Sequence, residues 1–106
     1  MNFTLLEKLA VLKAIDEVMM VDNHTDIGEI AYLSQILGQF NLEINVLNDV
    51  RKMNSDIAKN ILQEMTQDKK AVLYFMMKEM AEADGQIDTE ELEVIFSILQ
   101  ISGAIK

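Results

Sequence analysis

The sequence has no cysteine, no proline and only four glycines among its 106 residues. Without cysteine, a disulfide framework and a thiolate metal site are both excluded, and nothing argues for an oxidising compartment. The scarcity of proline and glycine leaves few turn signals, while the strong helix formers methionine, leucine, glutamate, alanine and lysine are abundant. We therefore expect an all-α protein.

Basic residues are also few, since nine Lys and Arg oppose eighteen Asp and Glu and give a net charge of −9. This charge repels nucleic-acid phosphates and anionic lipid headgroups, so we expect neither as a partner. The longest apolar run, residues 71–77, is far shorter than the ~20 residues of a membrane-spanning helix. The first residues do not have the pattern of a signal peptide. We expect a cytoplasmic protein without membrane insertion.

Length and composition predict one globular domain over residues 1–106. Half of the residues are apolar and a quarter are charged, which is too apolar for a disordered chain. A chain this short rarely holds two independent cores.

Apolar residues recur at spacings of three and four, which predicts a series of amphipathic helices. The first follows an N-cap at Thr4 and ends near residues 22–24, and the second runs from about residue 25 to Phe40. Their predicted core-facing residues are Leu5, Leu9, Leu12, Ile15 and Met19 in the first helix and Ile30, Leu33, Ile36, Leu37 and Phe40 in the second.

Four further helices are predicted in the rest of the chain. Two short ones are expected around residues 42–52 and 55–65, with Asn54 or Ser55 as the N-cap of the second. Longer ones follow over 67–83 and 89–102, and Gly103 ends the last. Their predicted apolar faces carry Val72, Phe75, Met76 and Met80 beside Glu79, and then Leu92, Ile95, Phe96 and Leu99. We interpret the methionines at 19, 20, 76, 77 and 80 as core residues rather than as a partner groove.

The two ends of the chain align with each other at an offset of 62 residues and without a gap, with 17–37 on 79–99. The acidic residues then coincide: Glu17 falls on Glu79, Asp22 on Asp84, Asp26 on Asp88 and Glu29 on Glu91. Core positions repeat easily, but surface acids do not. We therefore predict an internal repeat over residues 11–42 and 73–104, as two helix-turn-helix units related by a pseudo-twofold axis in a compact bundle of five to seven helices.

The segment AEADGQIDTEEL, residues 81–92, has an Asp-Gly turn, an apolar residue nearby and a Glu seven positions after the Asp. It resembles the signature of the tellurite-resistance TerB-like domain, which carries it twice. The resemblance implies an all-helical, pseudo-symmetric bundle with clustered acids as a metal-binding surface. It also implies a bacterial stress-associated or accessory role rather than catalysis. The first copy departs from the pattern, because Asn23 replaces Gly85 and Thr25 replaces Ile87.

The acidic turns have two interpretations, and both remain open at this point. Asp88 or Thr89 could cap the following helix, with Glu91 completing a capping box. Caps account less well for Glu79, Glu82 and Asp84, because the negative end of a helix dipole disfavours carboxylates there by roughly a few tenths of a kcal/mol each. A hard cation, Ca²⁺ or Mg²⁺ rather than Zn²⁺, would relieve them. The candidate metal ligands are Asp84, Asp88 and Glu91, with Asp22, Asp26 and Glu29 as the weaker set.

Two more specific kinds of metal site, an EF-hand loop and a transition-metal site at His24, are less favoured. An ordinary EF-hand loop is rejected, because Met80 would then provide the first ligand and a thioether is a poor ligand for a hard cation. His24 could ligate a transition metal beside Asp22, but a lone imidazole in a turn more often has no such role.

The sequence contains no set of residues typical of an enzyme active site. With one histidine and no cysteine the usual nucleophile–base pairs are unavailable, and no phosphate-binding glycine loop is present. We expect a non-enzymatic protein with two main hypotheses: a TerB-like accessory protein that binds a divalent cation, or a structural interaction module whose acids are caps and whose partner is another protein or a second copy. A carboxylate-based metal hydrolase is the third.

Overall fold

The structure, a computed structural model, describes residues 2–20, 27–83 and 89–105, and all regular secondary structure in these ranges is helical. The helices are α1 (Leu5–Met20), α2 (Ile27–Gln39), α3 (Val46–Lys52), α4 (Ser55–Gln63), α5 (Gln67–Ala83) and α6 (Thr89–Ser102). The prediction of an all-α protein is thereby confirmed for these ranges. None of the six helices combines the length and the apolar character of a bilayer-spanning segment.

The helices pack around one hydrophobic cluster in which α1 is central. Val11, Leu12 and Ile15 have no exposed surface, and α1 contacts α3, α4, α5 and α6. A helix covered on most sides has apolar residues around most of its circumference rather than on one stripe. The other helices contribute the remaining buried side chains, among them Leu73, Met77 and Met80 of α5.

Polar side chains fix where the helices begin. The Thr4 hydroxyl accepts the Glu7 N–H at 3.1 Å, and the Glu7 carboxylate accepts the Thr4 N–H at 2.8 Å, so the predicted cap is a full capping box. The Asn54 side chain accepts the N–H groups of Asp56 and Ile57, which settles the choice between Asn54 and Ser55. The start of α5 has a cap that we did not predict, since the Thr66 hydroxyl accepts an N–H from α5 at 3.3 Å.

The end of α2 is a Schellman motif built on an asparagine. Asn41 has a φ of 58°, and its N–H donates to the Gly38 carbonyl at 3.1 Å. The next N–H, of Leu42, donates to the Leu37 carbonyl at 2.9 Å. This turn explains why α3 begins at Val46 and not at the predicted residue 42, because the chain must reverse before a new helix can start.

The end of α6 has the same geometry with a glycine. Gly103 has a φ of 83°, and its N–H donates to the Gln100 carbonyl at 3.2 Å. The N–H of Ala104 donates to the Leu99 carbonyl at 2.9 Å. The prediction that Gly103 ends the helix is confirmed, since glycine adopts this left-handed conformation without steric cost.

The residue offset of 62 also relates these helix boundaries. Helices α1 and α5 begin 62 residues apart, and so do α2 and α6. The same offset relates the caps at Thr4 and Thr66 and the left-handed residues Asn41 and Gly103. One pair of helix contacts follows the same relation, because α1 packs on α6 and α5 packs on α2, whereas α5 contacts α6 more extensively than α1 contacts α2. We call residues that lie 62 apart equivalent positions.

Five residues that we predicted to face the core are exposed instead: Leu5, Met20, Ile30, Phe75 and Phe96. On α5 the buried residues are Leu73, Met76, Met77 and Met80, and at 100° per residue Phe75 points away from them. On α6 Phe96 lies at the edge of the buried stripe formed by Ile95, Ile98 and Leu99. The prediction was wrong there because spacings of three and four fit more than one stripe on an apolar helix.

Candidate interaction surface

The six candidate metal ligands lie in or beside the two segments that join α1 to α2 and α5 to α6. Asp22, Asp26, Asp84 and Asp88 lie outside the described residues, as does His24. Glu29 is in α2 and Glu91 is in α6, but their side chains are also outside the description. Within the described part of the chain, no group of three or more His, Cys, Asp or Glu residues could hold a metal ion. The cation site stays a prediction.

Near these segments, α2 and α5 bring a phenol and a carboxylate together. Tyr32 is almost fully buried, and burial followed by the negative charge of Glu79 raises the pKa of its hydroxyl to about 12. A tyrosine hydroxyl is protonated at neutral pH in any case, and the raised pKa makes it still harder to deprotonate. This makes Tyr32 a poor nucleophile or base and favours a structural role.

The most distinctive surface of the described chain is an aromatic face on α5 and α6. Tyr74, Phe75 and Phe96 are 40%, 58% and 53% exposed. They are three of the six aromatic residues in the sequence. The rings of Tyr74 and Phe75 meet edge to face, with their centroids 6.0 Å apart. Aromatic side chains have a large apolar area, so leaving three of the six exposed loses the stability that their burial would supply.

A groove of about 170 Å³ runs between these two helices and is mostly apolar. Its α5 wall contains Tyr74, Met77 and Ala81, and its α6 wall contains Leu92, Phe96 and Leu99. Lys78 and Glu82 also line it and place one positive and one negative charge a helical turn apart. We call this feature, together with the adjoining Phe75, the α5–α6 groove.

The corresponding surface of α1 is covered by α3 and α4. The Arg51 guanidinium of α3 donates from Nε to the Asp16 carboxylate at 3.4 Å, and Lys13 Nζ donates to the Arg51 carbonyl at 3.4 Å. Helix α4 buries Ala58 and Leu62 and lies between α1 and α6, where the Gln63 amide donates to the Ile101 carbonyl at 2.6 Å.

A second cavity, of about 360 Å³, lies where the N-terminal residues meet α2 and α5. Phe3, Phe40, Val72 and Met76 contribute apolar walls, and Lys8 contributes a charge. The Lys8 ammonium donates to the Phe40 carbonyl at 3.0 Å and lies 5.9 Å from the ring centroid of Phe40. Because this ammonium already binds the end of α2, we assign it a structural role at the C-terminus of a helix dipole.

A partly buried ion pair connects the starts of α1 and α5. Lys69 Nζ lies 2.7 Å from Glu7 Oε1, and both side chains are less than one fifth exposed. The Lys69 hydrogen bond and then the N–H of Thr4 hold the pKa of the Glu7 carboxyl below its usual value of 4.5. Glu7 and Lys69 are equivalent positions, so the pair joins the corresponding first turns of the two helices.

Comparison of the chain with protein-family models, with curated proteins and with solved structures found no match. The resemblance to TerB-like domains thus stays a prediction.

Sequence reasoning missed the α5–α6 groove because it assigned Phe75 and Phe96 to the core. A signal was present in the methionines. Met76, Met77 and Met80 are buried, as predicted, and together with Leu73 they define the core stripe of α5. Once that stripe is chosen, Phe75 must face away from the core.

Proposed function

We propose that the chain is a non-enzymatic accessory module that binds another protein through the α5–α6 groove. The observation that carries this proposal is that Tyr74 and Phe96 are exposed in one apolar groove, with Phe75 exposed beside Tyr74. Aromatic residues are enriched among the side chains that dominate binding energy at protein interfaces. A clustered apolar surface of this kind is typical of an interaction site.

The other exposed large apolar residues in the described part of the chain are not aromatic, and they include the adjacent pair Leu5 and Leu6 of α1. Ile44 and Ile57 are 70% and 56% exposed, but Ile44 precedes α3 and Ile57 is in α4. Scattered apolar residues on a protein surface are ordinary and need no function. By contrast, Tyr74 and Phe96 line the same groove and Tyr74 touches Phe75, so a single partner could cover all three.

The proposal includes the pseudo-symmetric repeat that the TerB-like resemblance implies. The shared offset of helix starts, caps and left-handed residues supports it. The Glu7–Lys69 pair adds support, because residues close to a twofold axis lie next to their own equivalents. The two repeats would then differ mainly in what covers their first helices.

A divalent cation at the acidic turns is the second candidate function. It is favoured by the equal helix starts, because residues 21–26 and 84–88 then join equivalent pairs of helices. Asp84, Asp88 and Glu91, with Asp22, Asp26 and Glu29, would provide carboxylate oxygens, for which Ca²⁺ and Mg²⁺ are suited. The two functions are compatible, since the candidate ligands and the groove use different residues.

Affinity purification of the tagged chain from its own cells tests the first function. The variant carries Tyr74→Ser, Phe75→Ser and Phe96→Ser, and the control carries Ile44→Ser and Ile57→Ser, which remove a similar exposed character elsewhere. We expect a protein that co-purifies with the unmodified chain and with the control to be lost from the aromatic variant. Identical co-purifying proteins for all three, with folding verified by circular dichroism, would contradict the proposal.

A further inference from the structure

The α3–α4 hairpin shows how the chain itself covers the outer face of a helix equivalent to α5. On α1, Leu12 and Asp16 are buried, and Arg51 of α3 lies against Asp16. The equivalent positions on α5 are Tyr74 and Lys78, and both are exposed. The hairpin thus covers positions on α1 whose equivalents on α5 line the groove or adjoin it.

Helix α4 covers a neighbouring part of the surface of α1. It lies against Lys13, Ala14 and Glu17 of α1. Their equivalents on α5 are Phe75, Met76 and Glu79, of which Phe75 and Glu79 are exposed and Met76 is buried. Lys78 corresponds to Asp16 on the α3 side, and Phe75 corresponds to Lys13 on the α4 side. A hairpin placed on α5 as α3–α4 is placed on α1 would therefore cover Phe75 and the turn of α5 that holds Tyr74 and Lys78.

We infer that the partner contacts α5 with a short helical hairpin, and that this hairpin carries a carboxylate opposite Lys78. The inference rests on the proposed function and specifies the class of partner. It follows from the comparison of the two outer faces and from the charges that each face carries.

The sign of the charge at one position identifies the occupant. On α1 the hairpin supplies Arg51 to the carboxylate of Asp16. On α5 the equivalent residue is Lys78, so an arginine placed in the same way would face a like charge. A matching hairpin needs Asp or Glu there. Since Glu82 lies one turn further along the groove, the partner also needs a basic residue one turn away from its acid.

The same charges argue against a second copy of this chain as the occupant. Its own hairpin would bring Arg51 towards Lys78, and each copy carries a net charge of −9. Like net charge on two copies opposes their association at moderate ionic strength. The partner is therefore a different protein. Its contact surface is apolar, with one acidic residue opposite Lys78 and one basic residue opposite Glu82.

Selection from a library of displayed hairpins tests this inference. The library is based on residues 44–65, with position 51 and the buried positions Leu47, Val50, Ala58 and Leu62 randomised, and it is selected for binding to the full-length chain. We expect Asp or Glu to be enriched at position 51 of the binders. Selection against the Lys78→Glu chain should enrich Lys or Arg instead.

Selected hairpins should bind the unmodified chain about fivefold tighter than the Lys78→Glu chain, which is the upper end for an exposed ion pair. Binding should be lost with Tyr74→Ser and Phe75→Ser and kept with Ile57→Ser. Failure to obtain binders, binding that tolerates loss of both rings, or no charge preference at position 51 would overturn the inference. So would a homodimer in light scattering that the two ring substitutions dissociate.

The two proposals can fail separately. If a co-purifying protein is lost from the aromatic variant while the hairpin library gives no charge-selected binder, the groove is an interaction site but the hairpin inference is wrong. If hairpins are selected as expected but no cellular protein depends on the rings, the surface has the inferred chemistry and the proposed function is wrong.

Discussion

The same substitution, glycine to alanine, should have opposite effects at two places in the bundle. Gly103 has a φ of 83° at the end of α6, whereas Gly38 lies in α2, and a Cβ added to it would meet nothing within 4 Å. Gly103→Ala should therefore destabilise the protein, and Gly38→Ala should stabilise it.

The magnitudes follow from backbone conformation. An L-residue in the left-handed region costs roughly 1–2 kcal/mol. The new Cβ at residue 103 would also come within 3.0 Å of Lys70 Nζ, which is the end of a flexible side chain and can move at little cost. Alanine at a helical position is favoured over glycine by about 0.5–1 kcal/mol, because glycine loses more backbone entropy on folding.

Thermal and chemical unfolding, followed by circular dichroism, measure both effects. For a domain near this size 1 kcal/mol corresponds to roughly 4–8 °C in Tm. We expect Gly103→Ala to lower Tm by about 4 °C or more and Gly38→Ala to raise it by a few degrees. Asn41→Gly is a further check, since it should not destabilise a residue that already has a φ of 58°. An unchanged Tm for Gly103→Ala would refute the Schellman motif as the end of α6.

Three further outcomes are expected. Met77→Ala, at a fully buried position, should lower the free energy of unfolding in urea by about 2–5 kcal/mol. Phe75→Ala should change it by less than about 0.5 kcal/mol. Similar losses for both variants would mean that Phe75 is buried. The pKa of Glu7 is lower in the folded state, so its ion pair with Lys69 stabilises the fold above pH 4.5, and this stabilisation is lost as the pH falls through the lowered pKa. Glu7→Gln should therefore make Tm depend less on pH below pH 4.5. An unchanged pH dependence would contradict the pairing. For chelator-treated protein, saturating Ca²⁺ or Mg²⁺ at a hundredfold excess over Kd should add about 2.7 kcal/mol of stability, which Asp84→Asn should abolish; no shift with any divalent ion would leave the acids as helix caps.

Local signals made much of the fold predictable. Helices α5 and α6 have the predicted bounds, because strong helix formers run through them and the turn residue Gly103 stops α6. The caps at Thr4 and Asn54 were readable because a side chain and the N–H it accepts are only two or three residues apart. Both groups of such an interaction lie within one short segment, so the sequence of that segment is enough to predict it.

Burial was less predictable, because it depends on which distant segment covers a face. Phe75 fits an apolar stripe as well as Leu73 does, and the positions of α1, α2 and α6 decide which of them is covered. The charge that a partner needs opposite Lys78 could likewise be inferred only from the contact between Asp16 and Arg51 in the structure. The candidate metal ligands were predicted from their spacing alone, and their side chains lie outside the described ranges, so the cation hypothesis still depends on sequence.

The position of the α3–α4 hairpin in the chain accounts for the difference between α1 and α5. The hairpin follows α2 and turns back onto α1, where Leu12 is buried and Asp16 contacts Arg51. On α5, by contrast, Tyr74 and Phe75 are exposed. If the α5 face had no partner, selection for solubility would favour polar residues there, as at any exposed helix face. Two adjacent aromatic rings beside a lysine are the opposite of that composition, and this contrast is the strongest reason to search for the partner at α5.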